Sequence, residues 1–315
     1  MLNPYDPAHA GYPRDMVGYG RNPPDPRWPG GALLALNIVV NYEEGGEASV
    51  LHGDPQSVAF LTEHITSPTV GRRAPTAESL WEYGSRVGFW RVWRALTRRH
   101  LPTTCFGVTM AMARNPEAVA AMNEAGWEIA SHGLRWNIEP PADEAGERAE
   151  IAQTLALHAQ ITGQAAVGWY NRSTARTWRL LGEHGGIEYF SDNYADDLPF
   201  WADVAGRAEL VLPYTLEAND MRFAVPGGFA DGESFFTYLR DTFDVLYRDG
   251  LEGRPRMMNL GLHGRLAGRP GRMAGLERFL DHVAGHERVW VATRAEIARH
   301  WRAQFPPPER ILTRV

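Results

Sequence analysis

Ala32-Leu33-Leu34-Ala35-Leu36-Asn37-Ile38-Val39-Val40 runs directly into Asn41-Tyr42-Glu43-Glu44-Gly45-Gly46-Glu47. All but Asn37 in the first nine residues are apolar, so no inside–outside alternation remains. Such a run reads as a strand buried on both faces, the pattern of a parallel sheet. Two adjacent carboxylates then follow immediately. In a parallel α/β fold, ligands bind at the carboxyl ends of the strands, so the end of this strand is the first place to look for chemistry.

Outward from this strand the pattern alternates. Glu78 to Arg99 reads as a helix, Thr103 to Val108 as a strand, and Asn115-Pro116 as the N-cap and first position of a short helix ending near Ala125. Further strands are expected at 127–130, 166–169, 187–190, 209–212, 257–262 and 289–292. Helices are expected at 143–161 (closing on Gly163), 175–183, 233–248, 275–283 and 294–304. This is one repeating βα series, hence α/β with a parallel sheet. No Gly-x-Gly-x-x-Gly follows the first strand, which favours a closed barrel over a dinucleotide-binding sheet. With 315 residues and no midpoint linker, the expected organisation is an N-terminal arm (1–30), one barrel domain (31–305) and a C-terminal tail (306–315).

All 32 Lys+Arg residues are arginine. The missing amine excludes Schiff-base and pyridoxal phosphate chemistry, a Walker A loop, and a carboxylated-lysine bridge between two metals. A net charge of −6 gives no electrostatic case for nucleic acid or an anionic membrane. One cysteine, Cys105, excludes a disulfide framework and a thiolate metal cluster and reads as a small core residue. The polar start of the chain lacks the apolar segment of a signal peptide, and no run approaches a membrane span, so a cytoplasmic protein is expected.

The polar residues that end predicted strands are Asn41, Tyr42, Glu43 and Glu44; Ser131 and His132; Trp169, Tyr170, Asn171 and Arg172; Ser191 and Asp192; and His263, Gly264 and Arg265. Adjacent glutamates in a closed site cannot both ionise freely, so one should be pushed up, as suits a general base. His132 and His263 read equally well as core histidines or as functional imidazoles. The other nine histidines, including His282 and His286, lie on loops or helices, where surface is the default. Arg86 reads as a helical ion-pair partner. Eleven tryptophans leave some available to line a site for a flat ring.

The chain resembles the polysaccharide deacetylase (NodB-homology) superfamily, and within it the allantoinase branch, which also includes cyclic imide hydrolases. The residues carrying the resemblance are Tyr12-Pro13-Arg14-Asp15, Asn41-Tyr42-Glu43-Glu44-Gly45-Gly46-Glu47, Leu51-His52-Gly53-Asp54 and Glu82-Tyr83-Gly84-Ser85-Arg86. Further on they are Ser131-His132-Gly133 with Arg135-Trp136, Gly168-Trp169-Tyr170, Asp196-Asp197-Leu198-Pro199, Pro213-Tyr214-Thr215, Asn219-Asp220-Met221-Arg222-Phe223 and Gly261-Leu262-His263 with Gly268-Arg269-Pro270. The resemblance implies a distorted (β/α)7 barrel. It implies a carboxylate pair after the first strand, here Glu43-Glu44, and a late histidine acting as general acid, here His263. The superfamily's two metal histidines lie four apart; here His132 fills the first place and Trp136 the second. One carboxylate and one imidazole are a poor zinc site, and the allantoinase branch shares this loss. No obligatory cofactor is therefore expected; a single divalent metal such as zinc would fall to Glu44 and His132. The loop 171–176 and the stretch 137–141 depart from the branch pattern, which leaves the bond type better supported than the substrate.

The expected function is hydrolysis of a C–N bond in a small cyclic ureide, amide or imide, with allantoin the first candidate. Glu43 or Glu44 would activate water and His263 would protonate the leaving nitrogen, with Asp192 a further candidate. Arg172 or Arg265 would stabilise the oxyanion; His132, Arg135, Trp136, Trp169, Tyr170 and Tyr42 would surround the ring. The competing readings are a cyclic imide or hydantoin hydrolase with a bound metal, a metal-dependent N-deacetylase of an amino sugar, and an inactive binding homologue. The expected partner is a small cyclic molecule, with no nucleic acid or membrane. The branch implies a homotetramer.

Overall fold

β1 spans Leu34–Tyr42, and all nine of its residues are buried. The strand lies two residues further along than Ala32–Val40, because it is paired almost to its end: Asn41 stands opposite His263 on one side and Tyr42 opposite Gly107 on the other. The computed structural model describes residues 14–64, 66–136, 138–309, 311 and 313–315. The expected arm before Arg14, with Tyr12-Pro13 and His9, lies outside the described residues, as does Asn137.

After β1 come a small antiparallel pair, β2 (Gln56–Ser57) and β3 (Thr69–Val70), then α1 (Pro75–Tyr83), a π-helical turn (Gly84–Gly88), α2 (Phe89–Thr97) and β4 (Thr104–Gly107). Next are α3 (Thr109–Arg114), α4 (Pro116–Glu124), β5 (Glu128–Ser131), α5 (Glu144–Thr162), β6 (Gly168–Trp169), α6 (Ala175–His184) and β7 (Tyr189–Phe190). The chain continues through β8 (Phe200–Val204), β9 (Arg207–Val211), α7 (Gly232–Leu251), β10 (Arg256–His263), α8 (Pro270–Ala284), β11 (Val289–Val291), α9 (Arg294–Gln304) and β12 (Thr313–Arg314). The main sheet runs β10-β1-β4-β5-β6-β7-β9-β8-β12, with β11 also on β1. The path from β10 to β9 is parallel throughout and contains seven strands, as a distorted (β/α)7 barrel requires.

The barrel is curled but not closed by a ladder, which corrects the expectation of a closed one. β9 and β10 do not pair; a single bridge, Asn219 to Gly261, spans that side. The fully buried Arg294, first residue of α9, fills the gap. One terminal nitrogen donates to Asn259 Oδ1 (2.6 Å) and Asn37 Oδ1 (3.1 Å). The other donates to Ser191 Oγ (2.9 Å) and to the carbonyls of Leu212 and Pro213. Asn37, the one polar residue in the opening apolar run, is therefore an interior anchor for this guanidinium.

Side-chain alternation on β1 sorts its residues. Leu34, Leu36, Ile38, Val40 and Tyr42 join the core shared with Phe89, Val92 and Leu96 of α2. Ala35 and Val39 join Phe106, Ala130, Tyr214 and Met257. Tyr42 therefore stands on the helix side, its hydroxyl 3.0 Å from Ser85 Oγ and its ring 5.2 Å from Phe89. It does not line a pocket with Glu43.

The expected helix over 78–99 is interrupted by the Gly84–Gly88 turn, and the reason is close approach. A Cβ on Gly88 would sit 1.9 Å from the Gly264 carbonyl oxygen, and one on Gly84 would sit 2.2 Å from Glu44 Oε1. Helix ends follow local chemistry: Asn115 caps α4 through the Ala118 N–H (3.1 Å), and Gly163 ends α5 at φ +71°. No helix among the described residues is long and apolar enough to cross a membrane.

Arg294→Ala would strand Asn37, Asn259 and Ser191 without their charged partner. It is expected to lower unfolding free energy by at least about 3 kcal/mol, read from chemical denaturation; a loss under 1 kcal/mol would show that the gap does not depend on this side chain.

Candidate active site

Glu43 lies one residue past β1, His132 one residue past β5, His263 at the end of β10 and Arg265 two residues later. Parallel pairing of β1 with β4 and β10, and of β4 with β5, brings these ends to one rim. Glu43 Oε1 lies 3.2 Å from His132 Nε2 and 3.3 Å from His263 Nε2, and Glu43 Oε2 accepts from Arg265 Nη2 at 2.7 Å. Glu43 is 1% exposed. One buried carboxylate thus joins two imidazoles and a guanidinium.

Glu44 faces a different way. Its Oε1 accepts from the backbone N–H of Arg265 (3.2 Å) and lies 3.4 Å from Arg265 Nη1, while its Oε2 accepts from the Glu43 N–H (3.3 Å). Burial pushes the Glu44 carboxyl up, with Arg265 working against it. Burial alone would also raise Glu43, but the charges of His263 and Arg265 and the imidazole hydrogen bonds hold it well below the usual carboxylate range. The two glutamates separate as expected from their adjacency, but the raised member, the one expected to suit a general base, is Glu44, and the glutamate that meets the histidines is the lowered Glu43. His132 meets Glu43, while Glu44, the carboxylate expected to share a metal with it, turns to Arg265.

His263 is held from behind by Asp220. Its Nδ1 lies 2.6 Å from Asp220 Oδ1, and Asp220 Oδ2 accepts from the backbone N–H groups of His263 (2.7 Å) and Ala267 (2.8 Å). Burial would lower the imidazole, but Glu43 and Asp220 overcome it and raise it to about 9. A protonated His263 donates from both ring nitrogens. Asp220 was not reached by collecting strand ends, because it sits in the single-turn helix Asp220–Ala224. Its only sequence signal is its place in Asn219-Asp220-Met221-Arg222-Phe223.

Arg265 is fully buried, its Nε donating to the Leu61 carbonyl at 3.0 Å. Its guanidinium carbon lies 3.8 Å from the Trp81 ring centroid and 5.6 Å from that of Trp136, and the two indoles meet edge to face at 5.0 Å. Trp136 therefore roofs the arginine, and Trp81, read in sequence as a helix residue, shares that task. Tyr170 lies 4.9 Å from the His132 ring and 5.0 Å from Tyr214, and its hydroxyl meets Tyr194 at 3.0 Å. Tyr214 in turn accepts from Asn41 Nδ2 at 2.9 Å.

Several expected site residues are placed elsewhere. Trp169 packs in the core with Trp178 and Phe190, its indole N–H on Ser173 Oγ at 3.0 Å. Arg135 clamps Asp54, fixing the loop after β1. Arg172 is half exposed and paired with Glu139 at 2.6 Å, and with Trp169 and Asn171 it borders a small cavity next to Gly133. Asp192 accepts from Ser173 Oγ (2.6 Å) and the Asn171 N–H (3.1 Å), and burial raises it. Among the described residues no hydrogen bond joins Asp192 to Glu43. It lies close enough to His132 to interact with it electrostatically, and it also borders a cavity of about 1400 Å³ between residues 14–24, 192–201 and the C-terminal end of the chain. Cys105 is buried in β4, as expected for a core residue.

Two buried polar atoms near His132 have no partner: His132 Nδ1 and Asn171 Oδ1. Buried polar atoms are normally paired. The imidazole that gives Nε2–H to Glu43 presents Nδ1 as an acceptor, so both atoms can accept a hydrogen bond from a bound ligand.

A rim of this kind on a curled seven-stranded parallel barrel defines a class. The chain belongs to the polysaccharide deacetylase family, whose sequence profile matches residues 71–179. A Schizosaccharomyces pombe protein named as a polysaccharide deacetylase is 43% identical, over 93% of this chain and 98% of its own length. Among solved structures, PuuE allantoinase is 48% identical with a TM-score of 0.91, covering 94% of this chain and 99% of its own. A Pseudomonas aeruginosa PAO1 protein named as a polysaccharide deacetylase is 51% identical with a TM-score of 0.90, covering 94% and 100%. The family is hydrolytic, and its deacetylases commonly use a divalent metal.

Glu43, His132 and His263 bring a carboxylate and two imidazoles to this rim, but the buried Arg265 works against such a metal. Glu43 and Glu44 both turn oxygens to Arg265, so a guanidinium already supplies the positive charge beside the pair. Trp136 brings no metal ligand to the place of the second histidine and packs over that guanidinium.

Asp220→Asn removes one of the two anions, with Glu43, that keep His263 charged. The imidazole titration of His263, followed by NMR, is expected to move down from about 9 by about 1–3 pH units. An unchanged midpoint would show that Glu43 alone sets it.

Proposed function

We propose that this chain is a hydrolase opening a C–N bond in a small cyclic ureide, amide or imide, with allantoin the first candidate. The observation that carries this reading is the Glu43 carboxylate held between His132 and His263 beside a buried guanidinium, an acid and a base brought into contact. The 48% identity to PuuE allantoinase over nearly the whole chain supports the substrate class.

The geometry suggests a cycle in which protons balance. Water enters beside Glu43 and gives it a proton as its oxygen attacks the ring carbonyl carbon. Positive charge on His263 and Arg265 favours the oxyanion that forms. Arg265 already spends donors on Glu43, Glu44 and Leu61, so it contributes charge more than a direct hydrogen bond to substrate. The tetrahedral carbon then expels the ring nitrogen, which takes the proton from His263 Nε2. Glu43 returns its proton to that nitrogen across their 3.3 Å contact, and the site resets. His132 Nδ1 and Asn171 Oδ1 would accept ureide or imide N–H groups, and Tyr170 would pack against the ring. The ionised Glu43 and protonated His263 exist together below about pH 9.

A second reading, metal-dependent N-deacetylation of an amino sugar, is supported by the names of the yeast and Pseudomonas relatives. A panel of allantoin, hydantoin, succinimide, phthalimide, dihydrouracil and a chito-oligosaccharide, each with and without chelator, separates the two. Chelator-insensitive ring opening is the expected result; deacetylation lost with chelator and restored by zinc would replace it. With the preferred substrate, kcat/KM should hold near neutrality and fall as pH rises through about 9, where His263 loses its proton. Glu43→Gln should reduce kcat about 10²–10⁴-fold; full activity in that variant would remove Glu43 from the reaction.

A further inference from the structure

α7 and α8 pack side by side on the outside of the barrel. Asp244 lies on α7, His282 in the last turn of α8, and His286 two residues beyond its end. His282 Nε2 lies 2.7 Å from Asp244 Oδ1. Nδ1 of His286 donates to the His282 carbonyl at 2.8 Å. A carbonyl can only accept, so Nδ1 carries the proton and Nε2 of His286 carries the lone pair. The two imidazole centroids are 4.6 Å apart. Both rings stand edge-on to the buried Phe243, at 5.4 and 5.0 Å, and Tyr247 meets His286 at 5.1 Å. One ligand atom from each of Asp244, His282 and His286 lies within 4.8 Å of the others, the one such group among the described residues.

We propose that Asp244, His282 and His286 form a binding site for a borderline divalent transition metal, zinc foremost, remote from Glu43 and independent of the reaction assigned to it. Two imidazoles and one carboxylate suit zinc, cobalt, nickel or copper, and are too nitrogen-rich for magnesium or calcium. The turn that ends α8 brings His286 back beside His282, with the His286 N–H on the Val283 carbonyl at 3.0 Å. The features that orient a ligating imidazole are already in place: a backbone carbonyl fixing the tautomer of His286, and an apolar ring wall fixing both planes. The 2.7 Å contact is a proton shared by His282 and Asp244. A metal entering there takes the proton's place, and the proton leaves to solvent or to His282 Nδ1. Asp244 is exposed and both imidazoles are half-buried, so the fourth position opens to water, giving three protein ligands and an exchangeable one.

The test uses the full chain freed of metal by chelation. Zinc binding is measured by calorimetry, and cobalt binding by its visible d–d absorption, for the wild type, His286→Ala, His286→Gln, Asp244→Asn and Glu43→Gln. Circular dichroism confirms that each variant is folded. The expected result is one saturable equivalent of zinc, with tetrahedral cobalt bands, in the wild type and in Glu43→Gln. Either His286 variant should weaken binding by more than about 100-fold, since loss of a ligand exceeds the ~10–100-fold effect of losing a group behind one. No saturable binding in the wild type overturns the proposal. So does binding that survives both His286 and Asp244 substitution, or that vanishes only in Glu43→Gln, which would place the metal at the barrel rim.

Discussion

A guanidinium enclosed by protein needs acceptors on its nitrogens to offset the water it gives up. Arg265 is such a group, and the barrel rim is built to match it. Glu43 and Glu44 meet its nitrogens, the Leu61 carbonyl takes its Nε, and the faces of Trp81 and Trp136 exclude water. That enclosure needs a strand end carrying both acids, a turn after β10 carrying the arginine, and a glycine-lined π turn close enough to roof them. Gly84 and Gly88 are required because neither Glu44 nor the Gly264 carbonyl would leave room for a Cβ. The same charge helps hold Glu43 ionised while burial pushes Glu44 up, so one ion pair divides two chemically identical neighbours into different states.

A chain of buried contacts extends from this pair. Asp220 holds His263, His263 meets Glu43, and Glu43 meets His132, whose ring lies against Tyr170. Each link joins a different strand end or loop, so the alignment of the rim and the protonation of its members are set together. On the other side, Arg294 does for the open side of the barrel what Arg265 does for the rim: it gathers acceptors from β1, β10 and the segments after β7 and β9 onto one guanidinium. In a chain without lysine both tasks fall to the planar, multi-donor guanidinium, which suits them.

Elements with strong local patterning were legible before the structure. The apolar run through Val40 specified a buried strand, Asn115-Pro116 the start of α4, and Gly163 the end of α5. The antiparallel β8 (Phe200–Val204) was not legible, since its identity comes from pairing with β9. Nor was the break at Gly84–Gly88, which answers to a turn some 180 residues away in sequence. At the site, Glu43, His132, His263 and Arg265 were legible because strand ends meet at one rim of a parallel barrel. Asp220 was not, because it lies on a connection rather than a strand. The partners of Tyr42, Trp169, Arg135 and Arg172 were not legible for one reason: position along a strand end does not say which way a side chain turns or what charge it finds.

By itself the sequence determined the class of fold, the rim at which acids and imidazoles would gather, and, by having no lysine, several chemistries that cannot occur. Hydrophobic periodicity and residue identity are local properties, and those conclusions need nothing more. Only the tertiary structure decided that Glu43 and not Glu44 meets the histidines, that Asp220 stands behind His263, and that Asp244, His282 and His286 converge outside the barrel. Those outcomes depend on distances between segments far apart in the chain, and on the burial that converts such distances into shifted protonation states.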